Sequence, residues 1–336
     1  MNIIFLIPIA IVFYFEGTKL FQKVKQEIIL NSPTGFLPNG RYQLTSFYSP
    51  KDFFEGKKWF FYFTKDPNNG IQKYQTQKSA TENNLIQYNK DEDTIVLNAT
   101  RGPDGTPMSL RIFSEKYYKS GLFIYDIQHL PHGCGIWPAI WTSGEDWPKN
   151  GEIDMLEVIN AETVNTMLVH SRPGCFFNIS GRLCEANPIV NRGGCGTPTP
   201  PGYAGRPWNN NNGGILAMEW VPLSAGWIKI WQFPRGSIPE DILNGKPEPN
   251  NWPTPLNTFP FGELCGVESF GPQQLVINTA FCGDYAADPA IWGRTCGLNS
   301  PVQSRGATCA DYVLSPQMDY SEAHLTLKSV KVYTLL

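Results

Sequence analysis

Apolar and polar positions alternate over short runs along this chain, and long runs of helix-forming residues are missing. Alternation with a period of two marks strands, because successive side chains point to opposite faces of a sheet. Strand-like runs fall at 85–88, 94–99, 109–113 and 121–128, then at 135–142, 166–170, 215–220, 227–233, 275–281 and 326–333. The aromatic run FFEGKKWFFYF at 53–63 predicts another strand and stops at the turn-forming Asp66-Pro-Asn-Asn-Gly70. Further turn signals, Asn89-Lys-Asp-Glu-Asp93 and Pro103-Asp-Gly105, separate runs at even spacing, which is the pattern of an all-β sandwich.

Two stretches interrupt the pattern. Residues 173–214 show little apolar periodicity, hold three cysteines and include PTPPG and WNNNNGG, so they read as loops fastened by disulfides. After 233 comes a Pro-rich connection with a short helical turn expected near 239–243. Upstream, residues 16–38 carry mixed charge and close on NSPTG and LPNG, which reads as a lead-in segment. No internal repeat or domain-scale linker follows, so 39–336 is expected to form one domain, with regular structure from about Tyr42.

Composition narrows the partners. Ten Trp, 14 Tyr and 20 Phe accompany a net charge of only -3, and no basic run resembles a footprint for a phosphate backbone. Nucleic acid is therefore disfavoured, and an uncharged polyhydroxylated ligand, whose sugar rings stack on flat apolar faces, is favoured.

The first 15 residues, MNIIFLIPIAIVFYF, form an uncharged apolar run that reads as a secretory signal spanning 1–15. The run is short for a membrane span, so no stable insertion is expected; an uncleaved membrane anchor is the alternative. Eight cysteines and the sequons Asn98-Ala-Thr100 and Asn178-Ile-Ser180 fit an oxidising, extracellular setting. No CxxC occurs and only four His are present, which disfavours structural zinc, and no metal site is expected. Eight cysteines allow many pairings; a local bridge from Cys296 to Cys309 is the one expected here.

The most informative stretch is GEIDMLE, residues 151–157. Glu152 and Asp154 share a strand face, whereas Glu157 stands at odd separation from both and should point away. A bulge in which Met155 and Leu156 share one step returns Glu157 to that face. Glu152 and Glu157 would then lie about 13 Å apart at their α-carbons, with carboxyl groups about 5 to 6 Å apart, the separation of retaining glycosidases. The competing reading is an exposed strand with a solvated acidic edge, although three like charges on one face repel one another.

GEIDMLE, with GCGIWPAIWTSGEDWPKN before it and AMEW, IKIWQFPRGSIPEDI, CGDYAADPAIW, CADYV and VKVY after it, resembles the fungal-type laminarinases of glycoside hydrolase family 16 over about residues 40–336. The resemblance implies a β-jelly-roll sandwich of two antiparallel sheets with an open cleft on its concave face. It also implies endo-acting, retaining hydrolysis of β-1,3 or mixed β-1,3/1,4 glucans without metal or organic cofactor. Carried over by position, Glu152 is the nucleophile, Glu157 the general acid/base and Asp154 the carboxyl that tunes Glu152.

The same resemblance assigns Trp147 to the subsite beside the scissile bond, Arg111 to support of the cleft and His170 to a place beside the acid/base. Trp137 and Trp141 share a face with Ala139; one is expected to reach the cleft and the other to pack, with Trp141 preferred for sugar contact. Tyr285 stands where fungal laminarinases usually have tryptophan, which puts linkage preference in question. The partner implied is a β-glucan, bound by a monomer. Two alternatives remain: a glucan-binding recognition protein without catalysis, and a wall-remodelling transglycosylase.

Overall fold

The computed structural model describes residues 42–297 and 308–336; the signal expected at 1–15 and the lead-in segment expected at 16–38 lie outside the described residues. Two antiparallel sheets form the body. The seven-stranded sheet runs, in spatial order, Cys195–Pro198, Thr166–His170, Glu152–Glu157, Ile136–Gly144, Gln273–Phe281, Arg111–Tyr118 and Trp59–Phe61. The eight-stranded sheet runs Asn257–Pro260, Trp227–Pro234, Gly214–Val221, Gly121–His129, His324–Leu335, Thr94–Asn98 and Ile86–Asn89, with Tyr42–Tyr48 also paired to His324–Leu335. Neighbours in space come from distant parts of the chain, as in a jelly roll.

The strands predicted from alternation are present, several of them longer at one or both ends than the pattern marked. Their inward side chains meet in one core. Ile140, Ile153, Met155, Leu156, Val169, Leu275 and Ile277 from one sheet pack with Phe123, Tyr125, Leu216, Met218, Ile230, Leu327 and Val332 from the other. Each such side chain, fully removed from water, contributes about 1.5–3 kcal/mol. The outer face of the eight-stranded sheet is apolar too, and the Pro-rich connection covers it: Trp252 packs edge-on against Trp231 and Phe233, beside Ile242 of the helix Glu240–Leu243. That helix is the turn expected near 239–243.

Three expectations are corrected. Only Trp59–Phe61 of the aromatic run is a strand; Pro50–Phe54 is a helix, started by Ser49 and Asp52 in a reciprocal capping box with proline in its first turn. Residues 173–214 are more ordered than a loop, containing the hairpin Phe176–Ile179/Arg182–Glu185, the edge strand Cys195–Pro198 and the helix Gly205–Asn210. Finally, Cys296 does not pair with Cys309. The bridges are Cys134–Cys296, Cys175–Cys265, Cys184–Cys195 and Cys282–Cys309, set by which segments the fold brings together and not by proximity in sequence.

Candidate active site

The strand Glu152–Glu157 enters the seven-stranded sheet from Gly151, whose φ of +79° and close neighbours Phe270 and Ser269 leave no room for a side chain. Along the neighbouring strand, Ser143 pairs with Glu152, Trp141 with Asp154, Ile140 with Leu156 and Ala139 with Glu157. Met155 has no partner of its own, so the bulge lies between Asp154 and Leu156, where the alternation required one. Its effect is twofold. Ile153, Met155 and Leu156 all go into the core with no exposed surface, while Glu152, Asp154 and Glu157 line one cleft with Trp137, Ala139, Trp141 and Asn278.

The three carboxyl groups have different surroundings. Asp154 is buried, and that burial, followed by the neighbouring Glu152 and Glu157, pushes its carboxyl well above the usual range. That shift favours its protonated form, which is hydrogen-bonded to Glu152. Glu157 is pushed up to about 7, chiefly by burial; the hydrogen bond from Trp137 opposes that shift and the charge of Glu152 adds to it. The indole Nε1 of Trp137 donates to Glu157 Oε1 at 2.9 Å. On the other side, the indole of Trp147 donates to Glu152 Oε2, and this ring is 53% exposed, so its face is open to a ligand.

The other predicted residues fall around this centre in distinct layers. Trp141 lines the cleft, donates from Nε1 to Asn278 Oδ1 at 2.7 Å and lies against the Arg111 guanidinium, 5.0 Å from its ring centre. Arg111 is buried behind it, between Trp141, Tyr62 and Phe113, with Asp66 at 3.8 Å. His170 pairs across the sheet with Glu152 and brings Nε2 within 3.5 Å of Asp154 Oδ2. It therefore stands beside the nucleophile candidate and the middle carboxyl, at the far end of the strand from Glu157. Tyr285 packs edge-on against Trp137 at 5.7 Å, and burial, then the charges of Glu157 and Glu162, raise its hydroxyl to about 12.

The division expected between the two tryptophans does not hold. Both Trp137 and Trp141 are 8% exposed and both line the cleft, and it is Trp137 that touches a carboxyl group directly. Pleat parity places both on one face but does not report which polar atom each indole finds.

Sequence reasoning missed Asn165. This fully buried residue accepts the backbone N–H of Glu157 on Oδ1 at 2.9 Å and donates from Nδ2 to the Met155 carbonyl at 3.0 Å and to Gln232 Oε1 at 3.0 Å. It clamps the bulge from outside the ladder. A lone Asn before a strand carries no distinctive pattern. Gly283 was also unremarked: at φ +71°, a side chain there would meet Asn68 and the Trp137 ring at under 3 Å. It lets the turn bearing Tyr285 close over Trp137.

Comparison with known proteins fits this geometry. The model of the XgeA-like catalytic domain of glycoside hydrolase family 16 matches residues 59–333. A Schizosaccharomyces pombe protein named as a probable glycosidase is 33% identical over 304 residues, 87% of this chain and 69% of its own length. An endo-1,3(4)-beta-glucanase of Emericella nidulans is 34% identical, covering 86% of this chain and 47% of that protein. The chain thus spans about half the length of that relative. Among solved structures, Laminarinase 16A from Phanerochaete chrysosporium, with beta-glucans in donor and acceptor sites, superposes with TM-score 0.76 at 30% identity over 88% of this chain and all of that one. An elongating family 16 beta-1,3-glucosyltransferase superposes equally well, with TM-score 0.76 at 29% identity over 87% of this chain and all of that one. The chain belongs to glycoside hydrolase family 16, within its XgeA-like catalytic domains.

Proposed function

We propose that this protein is a secreted, endo-acting β-glucanase that hydrolyses β-1,3 or mixed β-1,3/1,4 glucans with retention. The observation that carries the reading is the bulge at Met155, which gathers Glu152, an Asp154 pushed well above the usual carboxylate range and a Glu157 raised to about 7 along one cleft. Glu152 attacks the anomeric carbon while protonated Glu157 gives its proton to the departing glycosidic oxygen, leaving a glycosyl ester on Glu152. The ester removes the negative charge that helped hold the Glu157 proton. Glu157, now ionised, takes a proton from water as its oxygen attacks the same carbon and frees the Glu152 carboxylate. The proton on Asp154 stabilises that departing carboxylate, and no step calls on a metal or organic cofactor.

In this reading the exposed ring of Trp147 stacks on a sugar beside the scissile bond, while Trp141 lines the cleft and Arg111 and His170 hold the site from behind. Tyr285 acts through Trp137. A monomeric domain covering 39–336, a signal at 1–15 and a lead-in at 16–38 complete the proposal. Four disulfides and the exposed sequon residue Asn178, on a hairpin, support export. Among the described residues no helix is long and apolar enough to cross a membrane.

Incubation of the purified protein with laminarin, lichenan, agarose and xyloglucan, with product sizing and NMR of the first-formed anomer, tests the proposal. Short β-anomeric products from laminarin or lichenan are expected, and Glu152→Ala should abolish them. Inverted products, or full turnover by Glu152→Ala, would overturn it. The likeness to a glucosyltransferase favours one second reading, transfer of the glycosyl group to another glucan; products longer than the starting oligosaccharide would establish that instead.

A further inference from the structure

Three of the chain's four histidines lie together, remote in sequence from the catalytic strand, at the passage from one sheet to the other. His129 ends the strand Gly121–His129 of the eight-stranded sheet, and His132 lies on the short link to Ile136–Gly144 of the seven-stranded sheet. Glu322 precedes the final strand, and its carbonyl accepts the backbone N–H of His132. Glu322 Oε2 is 3.0 Å from His129 Nε2 and 3.3 Å from His132 Nδ1, and the three atoms lie within 4.8 Å of one another. Two ligands of a tetrahedral zinc ion with bonds of about 2.0–2.1 Å stand about 3.3 Å apart. Two edges of this triangle match that spacing.

An independent observation concerns the tautomer of His129. Its Nδ1 lies 2.9 Å from the His324 carbonyl, which can only accept, so Nδ1 carries the proton. Nε2 then faces Glu322 either as N–H, making the ring a cation, or as a bare lone pair. A backbone carbonyl on the far nitrogen is the arrangement that orients a metal-binding imidazole. The His324 ring stacks on His129 at 3.7 Å, with Nδ1 turned to the Ser321 carbonyl. Asn209 closes one side: fixed by two bonds to Leu130, it brings Nδ2 to 2.9 Å from His129 Nε2. The Glu322 side chain, 46% exposed, leaves the other side open to solvent.

We propose that His129, His132 and Glu322 form a binding site for a zinc-class divalent transition metal, which ties the link leaving the eight-stranded sheet to the loop before the final strand. Water completes the coordination. The ion takes the lone pair of His129 Nε2, so binding competes with acid. The cysteines take no part, since all eight are in disulfides.

Full-length protein stripped with EDTA and dialysed is titrated with zinc chloride by calorimetry and followed by metal analysis and thermal unfolding. One zinc per chain is expected at pH 7.5, with a rise in Tm of about 5 °C at a hundredfold excess over Kd, binding at least tenfold weaker at pH 5.5, and no response to calcium. Glu322→Gln, a half-exposed site whose amide still meets the imidazoles, should fold with an unchanged metal-free Tm but lose the zinc response. His132→Gln should lose it too. Because Glu152, Asp154 and His170 form a second cluster of ligand atoms, Glu152→Gln is the control and should keep the full response. Absence of zinc binding to the wild-type protein, or a response that persists in Glu322→Gln and His132→Gln or vanishes in Glu152→Gln, would overturn the proposal.

Discussion

Asn165 accepts the backbone N–H of Glu157 on its side-chain oxygen at 2.9 Å while its amide nitrogen donates to the carbonyl of Met155 at 3.0 Å. The extra residue of a bulge leaves ladder groups unpaired, and a buried unpaired N–H or C=O costs about 1–3 kcal/mol. Asn165 satisfies both at once and fixes the step at which Glu157 turns toward the cleft.

Asn165→Ala should therefore destabilise the protein by about 3 kcal/mol and lower kcat roughly 10- to 100-fold, with a smaller effect on KM. Asn165→Asp keeps the acceptor for Glu157 and loses the donor to Met155, so it should recover part of the lost kcat. Steady-state kinetics with urea unfolding of both variants checks this. A kcat unchanged in Asn165→Ala would show that the bulge holds its shape without the clamp.

Trp137 donates to Glu157, and a donor on a carboxylate favours its ionised form. As the proposed general acid Glu157 starts protonated, so the alkaline limb of kcat/KM should fall near pH 7, where burial has moved it. Trp137→Phe removes the donor and leaves the ring, which should move that limb upward by about one pH unit, taking a charged hydrogen bond at about 1.5 kcal/mol. A loss of rate without movement of the limb would mean that the indole only packs.

Much of the site was legible because strands obey strict parity. Three carboxylates at positions 152, 154 and 157 could share a face only through a bulge, and the register places it at Met155. The tryptophan roles were less legible, since alternation names the face of Trp137 and Trp141 but not the polar atom each indole reaches. Asn165 was invisible because its partners are backbone groups across a bulge, a contact without sequence spacing. The disulfides and the helix Pro50–Phe54 escaped for opposite reasons. Bridges between residues as far apart as Cys134 and Cys296 are set by topology, whereas the Ser49/Asp52 cap was present in sequence but masked by the aromatics after it.

Burial of Glu157 also has a cost in stability whose sign can be followed. Its carboxyl is raised from 4.5 to about 7 in the folded protein, so the native state binds the proton more tightly than the unfolded chain. Stability is then full below about pH 4.5 and falls as pH rises through about 7. Glu157→Gln cannot ionise and escapes that loss, which is on the order of 3 kcal/mol at most. The variant should match the wild type in Tm near pH 4 and exceed it by about 5 °C at pH 8. Because Asp154 is raised as well, the variant keeps part of the slope. An equal Tm difference at both pH values would show that Glu157 titrates normally.

The last test addresses the bulge itself. Met155 is the residue without a cross-strand partner, and the pairs on either side, Asp154 with Trp141 and Leu156 with Ile140, already belong to consecutive steps of the facing strand. Deleting Met155 should leave those pairs intact and turn the strand regular, with Glu157 still opposite Ala139 on the cleft face. It also removes a fully buried side chain, at a cost of about 2–5 kcal/mol. The expected variant is less stable, yet retains laminarin cleavage well above that of Glu157→Ala, since the proposed acid and nucleophile keep the same face. Inserting one alanine after Asp154 also gives Glu157 an even separation from Glu152, but a regular strand then sets the two six steps apart instead of four effective ones, beyond the spacing of a retaining pair, so activity should drop to that of Glu157→Ala. Were the deletion inactive and the insertion active, the pairing across Ile140 and Trp141 would have to shift in the opposite sense.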